Sequence, residues 1–298
     1  MSLATLAEEV IEFLSSPALH ATSSNAYRYL DELWIESLRA SFILNRRIDL
    51  TLFHKKCIFP AVQQGAVDSA NLLSIFELML FRWYSIVAHH RPACTAVDIG
   101  ANIGFHSLFM AKCCDNVMSY DADDQHKSIF LRVMEANNVS RKVLLNNCAV
   151  TDTAGIVRFT RVLDNPTASY VDNLKQGYGP LELSDVRSIP AHQAVSGATL
   201  LKIDAEGSEF KILSSIKKFQ WLNGLICFFE ISSPSNRRPI YDLLSSYGVN
   251  LYPQNICWMQ ASSCADLPCT WRDGNCMAFL PSEINMCIYH DFMNRPFI

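Results

Sequence analysis

From Cys94 onward the chain alternates short apolar runs with segments of helical periodicity, and this rhythm admits few folds. Repeated strand–helix units close into a mostly parallel sheet covered by helices on both faces. Strands are expected near 95–99, 116–121, 142–148, 155–160, 199–204, 224–231, 248–252 and 275–280. Helices are expected near 103–113, 124–138, 207–218 and 237–247. With 298 residues, half of them hydrophobic, there is enough apolar side chain to bury such a sheet.

Residues 1–92 have a different texture. Leu3, Leu6, Val10, Ile11 and Leu14, then Tyr27, Leu30, Trp34, Leu38 and Phe42, recur mostly at helical spacing, and little alternates as a strand does. The segment reads as a helical N-terminal extension that caps a site or forms a homodimer, ending near His89-His90-Arg91-Pro92. Residues 93–298 form the α/β domain. The apolar stretch Leu72–Ala88 is broken by Glu77 and Arg82 and is shorter than the roughly 20 residues of a membrane span, so it reads as a buried helix. Leu163–Gly197 is polar and turn-rich and reads as a long loop framing a substrate.

A net charge of −4 and the lack of a Lys/Arg run speak against a nucleic-acid partner. Eleven cysteines, an odd number with no secretory-type opening segment, suit reduced thiols and a cytoplasmic location. Cys257, Cys264, Cys269 and Cys276 lack the short Cys-x-x-Cys pairs that bring two thiolates onto zinc, so no metal site is assigned to them.

The chemistry gathers at strand ends. Val97-Asp98-Ile99-Gly100-Ala101-Asn102-Ile103-Gly104 joins a strand to a helix through a turn whose glycines let the backbone approach a ligand closely. Alone, that turn fits a tight structural bend or a dinucleotide site equally well. Asp121 closes the second strand, where a carboxylate accepts from ribose hydroxyls, while Asp123 and Asp124 suit the start of the next helix. The edge Asn147-Cys148-Ala149-Val150 borders an adenine, read by Asn147 or the backbone around Ala149, with Cys148 a buried inert thiol. Asp204, Glu206 and Glu209 crowd three carboxylates into six residues; Asp204 and Glu206 read as active-site groups, Glu209 as such a group or a solvated acid in a helix's first turn.

Together these pieces resemble the FkbM-type methyltransferase family, with Lys202-Ile203-Asp204-Ala205-Glu206-Gly207-Ser208-Glu209 the most discriminating element. The resemblance covers about residues 94–281. It implies a doubly wound, mostly parallel seven-stranded Rossmann-like sheet with one antiparallel strand, an S-adenosylmethionine donor, and O-methylation of a hydroxyl on a small molecule or sugar. On that reading Asp98, Gly100, Asn102, Gly104, Asp121, Asn147, Ala149 and Asp204 bind the donor. The base that takes the hydroxyl proton is Glu206, then Asp204, then His106. Two departures stand out: Asp121-Ala122 replaces the commoner Glu-Pro, and Phe105-His106 follows the donor turn, placing a histidine that could act near neutral pH. Magnesium on Asp204, Glu206 and Glu230 is weighed and not favoured. The rival readings are an RNA 2′-O-methyltransferase using Lys202 and a non-catalytic nucleotide-binding regulator.

Overall fold

The computed structural model describes residues 3–171 and 177–294. The chain opens with α1 (Leu3–Leu14) and α2 (Asn25–Asn45), the latter capped by Ser24, whose hydroxyl accepts from the Tyr27 amide. An antiparallel hairpin follows, β1 (Arg47–Leu52) and β2 (Lys55–Pro60), then the short pair β3 (Gln63–Gln64) and β4 (Val67–Asp68), and α3 (Ile75–His90).

The sheet begins with β5 (Thr95–Ile99), α4 (Phe105–Cys113), β6 (Asn116–Asp121), α5 (Lys127–Ala136) and β7 (Val143–Asn147). Next come β8 (Ala149–Thr151), β9 (Gly155–Val162), β10 (Tyr170–Val171), β11 (Leu181–Pro190) and the short α6 (Ala191–Ala194). The chain finishes with β12 (Leu200–Ile203), α7 (Glu209–Ser215), α8 (Lys218–Leu222), β13 (Ile226–Glu230), α9 (Pro234–Tyr247), β14 (Asn250–Pro253), β15 (Asn275–Phe279) and α10 (Glu283–Asn294).

Seven strands form the central sheet in the order β14-β15-β13-β12-β5-β6-β7. Only β15 runs against the rest. The chain moves outward from β5 to β7, then returns to lay β12 beside β5. The strand order therefore reverses between β5 and β12, and a crevice opens at their carboxyl ends. This is the doubly wound, Rossmann-like sheet expected of a methyltransferase.

Alternation along the strands feeds two cores. Ala96 and Leu200 join α1–α5 and α10 on one face, whereas Val97, Ile99, Leu201 and Ile203 join α7 and α9 on the other. The N-terminal helices thus share a hydrophobic cluster with the sheet, and Trp34 donates its indole N–H to the Leu73 carbonyl at 2.8 Å.

Four expectations need correction. The extension over 1–92 is not wholly helical: Ile48, Leu50 and Leu52 alternate with exposed residues to make β1, a period-two signal too short to stand out beside the helices. The strand at 155–160 forms, but as β9 of a separate four-stranded sheet, β10-β9-β11-β8. Leu163–Gly197 is correspondingly no plain loop, since β11 pairs with β9 over eight residues. Leu181–Pro190 is mostly exposed on both faces, so backbone pairing rather than an apolar face holds it. Residues 172–176 of that segment lie outside the described residues. The helix at 207–218 breaks into α7 and α8. All eleven cysteines are free, and no described helix is long and apolar enough to cross a membrane.

Candidate active site

A cavity of about 1240 Å³ opens over the crevice, lined by Gly100, Asn102, Asp121, Ala149, Asp204 and Glu206 among others. Its outer wall comes from α2 and α3 through Arg28, Asp31, Glu32 and Glu77, and from the β9–β11 region through Asn165, Ser169 and Tyr178. The N-terminal extension therefore forms part of the enclosure.

The turn after β5 is fixed by how closely two backbones meet. Gly100 has φ +80°, and a Cβ there would overlap the Asp204 carbonyl oxygen and lie 2.8 Å from its carbon. Gly104 (φ +92°) caps α4, and a Cβ there would press on Phe130 and Met134 of α5. Gly104 thus seats the helix and does not line the cavity. Asn102, also left-handed at φ 50°, lines it and accepts from Gln64 Nε2 at 2.9 Å through Oδ1.

Asp121 lines the cavity with both oxygens engaged. Its Oδ2 accepts from the Asn102 amide at 2.6 Å, while Oδ1 accepts from the Asp123 amide at 2.8 Å and from His126 Nδ1 at 3.1 Å. Asp123 is gripped by Arg161 through two hydrogen bonds of 2.6 and 2.8 Å. Burial pushes its carboxyl up, but Arg161 and His126 outweigh this and hold it below the ordinary value. Asn147 is exposed, donates to the Asp121 carbonyl at 3.0 Å, and does not line the cavity, whereas Cys148, Ala149 and Val150 do.

Asp98 lies beneath the floor, fully buried, accepting from Ser107 Oγ at 2.6 Å. It is in register with Lys202 on the neighbouring strand. Lys202 Nζ donates to Asp204 Oδ2 at 3.1 Å. Burial pushes the Lys202 ammonium down, but the charges of Asp204, Asp98 and Glu77 reverse that and raise it above its usual value.

Glu206 sits in a left-handed turn at φ 43° beside Gly207 and lines the cavity. Glu209 is fully buried rather than solvated: it accepts from the Gly207 amide, Ser232 Oγ and Asn236 Nδ2, tying this turn to the segment after β13. Burial first, and then the charges of Asp204, Glu206, Glu77 and Glu209, push the Glu230 carboxyl well above its ordinary value.

His106 does not line the cavity. Its Nε2–H donates to Glu77 at 2.9 Å and its Nδ1 accepts from the Tyr84 hydroxyl at 3.1 Å. Burial pushes the Glu77 carboxyl up, but His106 and then Lys202 more than compensate, and it ends below the ordinary value. Sequence reasoning missed Glu77, Gln64, Asp31 and His126 as site residues. Glu77 alone carried a signal, being a carboxylate in an apolar helix that burial obliges to find a partner. Among the described residues no cluster of three His, Cys, Asp or Glu side chains is arranged to hold a metal.

No family model and no curated protein matches the chain. Several solved structures similar to it carry methyltransferase names. The FkbM methyltransferase of Methylobacillus flagellatus aligns at TM-score 0.40 and 14% identity over 73% of this chain and 55% of that one, so the chain spans just over half its length. The O-methyltransferase of Bacillus cereus in complex with SAH aligns at 0.38 and 12% over 67% and 80%. The ribosomal protein L11 methylase of Lactobacillus delbrueckii subsp. bulgaricus aligns at 0.36 and 10% over 68% and 78%.

Proposed function

We propose that the chain is an S-adenosylmethionine-dependent O-methyltransferase acting on a hydroxyl of a small molecule or sugar. The observation that carries this reading is the enclosed cavity at the β5/β12 reversal, bounded by the glycine turn, Asp121 and the Asp204–Glu206 turn. The residues present suit the donor: Gly100 lets the turn after β5 pack directly on the turn after β12, and Asn102, Asp121 and His126 line the cavity beside that contact.

When bound, S-adenosylmethionine supplies an electrophilic methyl group for in-line transfer to oxygen. The chain's own residues hold the two partners in line and remove the hydroxyl proton. Asn102, Asp121 and the Ala149 backbone hold the donor, Asp98 and Gly104 support the turn from beneath, and Asn147 steadies the end of β6. Glu206, which lines the cavity from the turn after β12, takes the proton. Eleven unpaired thiols suit a reducing, cytoplasmic setting.

The test is incubation with methyl-labelled S-adenosylmethionine and a panel of sugars, glycosides and phenols, with detection of labelled methyl ether by mass spectrometry. Methyl ether formation is expected; donor binding without transfer to any hydroxyl would favour a regulatory protein instead.

A further inference from the structure

Cys94 stands directly before β5, and Cys114 directly after α4. Both are buried, and the Cys114 thiol donates to Cys94 Sγ at 3.1 Å. That separation is only about 1 Å beyond the roughly 2.05 Å of a disulfide bond. The backbone is fixed at the same place: the Asp115 amide donates to the Cys94 carbonyl at 3.0 Å, and Lys142 Nζ donates to the Cys114 carbonyl at 3.0 Å. Closing the gap therefore asks for side-chain rotation and little backbone movement.

The two thiols are not equivalent. The hydrogen bond from Cys114 lowers the Cys94 thiol below its ordinary value, and the Thr199 hydroxyl at 3.5 Å and the Arg91 charge add to this, against burial and Asp115. The same hydrogen bond, and then burial, raise the Cys114 thiol. Cys94 is thus the nucleophile of the pair and Cys114 its resolving partner. Arg91 and Thr199 also line a shallow surface depression at the amino ends of β5 and β12, the far end of the sheet from the cavity.

We propose that Cys94 and Cys114 form a site of reversible oxidation whose substrate is a small hydroperoxide, hydrogen peroxide itself. The site stands apart from the methyltransferase reading. Cys94 Sγ attacks one peroxide oxygen: an S–O bond forms, the O–O bond breaks, and the second oxygen leaves as water. Cys114 Sγ then attacks Cys94 Sγ: the S–S bond forms, the S–O bond breaks, and a second water leaves with the Cys114 proton. Two thiols are oxidised to one disulfide, and one peroxide is reduced to two waters. Burial of both sulfurs selects the oxidant by size. A molecule little larger than water reaches Cys94 past Thr199, whereas a disulfide such as oxidised glutathione does not. The bond closes a ring over residues 94–114 that holds β5, the glycine turn and α4, and so pins both ends of the segment that carries this turn.

The experiment treats the reduced full chain, freed of reductant, with a few equivalents of hydrogen peroxide at neutral pH. The reaction is quenched in acid, the remaining thiols are alkylated in denaturant, and the peptides are mapped by mass spectrometry without reduction. The peptides carrying Cys94 and Cys114 are expected to be joined, two hydrogens lighter than the separate thiols, and to separate again with dithiothreitol. In urea, where the contact is lost, the same treatment is expected to give this link no more often than any other. Cys114→Ser removes the resolving thiol and is expected to accumulate a sulfenic acid at Cys94, captured by dimedone. Recovery of Cys94 and Cys114 as alkylated thiols once the exposed Cys287 is oxidised overturns the proposal. So does an equal yield of the link in the folded and the urea-unfolded chain, or capture of dimedone at another cysteine in place of Cys94. Equally fast linkage by oxidised glutathione overturns the assignment of a hydroperoxide. Should Cys114→Ser not fold, the comparison of folded and unfolded wild type decides.

Discussion

Replacing Gly100 by alanine tests the geometry on which the site depends. The residue sits at φ +80°, where an L side chain costs about 1–2 kcal/mol. The new Cβ would overlap the Asp204 carbonyl, which is backbone and cannot swing aside as a side chain would. Relief requires the turn after β12 to separate from the turn after β5. That weakens the Asp204 amide's bond to the Ile99 carbonyl and the Gly100 amide's bond to the Tyr120 carbonyl, both 2.9 Å, each worth about 1 kcal/mol. The expected loss is about 3–4 kcal/mol, which a domain of ordinary stability survives folded. Gly197→Ala supplies the control: its φ is +75°, yet a Cβ there meets nothing within 4 Å, so only the backbone cost of about 1–2 kcal/mol applies. Urea unfolding reads both, and calorimetry with S-adenosylhomocysteine reads the site, where Gly100→Ala should lose at least tenfold in affinity and Gly197→Ala should not. Equal destabilisation of the two variants, with donor affinity intact in both, would refute the close-approach argument.

The remaining predictions concern charge and chemistry. Burial and then the Arg82 charge hold the buried His20 imidazole down at about 3 against an ordinary 6.5, so the unfolded chain takes up a proton that the folded chain refuses. Stability contributed by this site is thus lost as the pH falls below 6.5, by about 2 kcal/mol at pH 5. Denaturation of His20→Phe should show a shallower acid loss than wild type, and parallel curves would contradict it; comparing the two cancels the opposite effect of Asp31, whose carboxyl is raised to about 6 chiefly by burial. Lys202→Met leaves Asp204, Asp98 and Glu77 without their shared cation and should cost about 3–5 kcal/mol in urea unfolding; a loss below about 1 kcal/mol would show that the cation is dispensable. Glu206→Gln should preserve donor affinity while slowing methyl transfer at least about a hundredfold, and an unchanged rate would move the base elsewhere.

Most of the sheet was legible because parallel strands buried on both faces leave dense apolar runs such as Thr95–Ile99 and Ile226–Glu230, each within about two residues of expectation. The β9–β11 sheet was less so: β11 is exposed, and its pairing across an intervening segment leaves little trace in local pattern. That the glycine turn, Asp121 and Asp204–Glu206 border one cavity was legible because close approach and strand ends restrict which residues can stand there. Asp98, Gly104, Asn147 and His106 fell in the right neighbourhood without lining the cavity, since neighbours in sequence diverge in direction at a turn. Glu77 and Asp31 reach the site from helices that precede the sheet, a long-range packing that periodicity does not encode.

The central claim is that this cavity binds S-adenosylmethionine. Calorimetric titration of the full chain with the donor should give saturable heat at one site per chain, displaced by S-adenosylhomocysteine and weakened at least tenfold by Gly100→Ala. No heat and no shift in melting temperature at millimolar donor would contradict it.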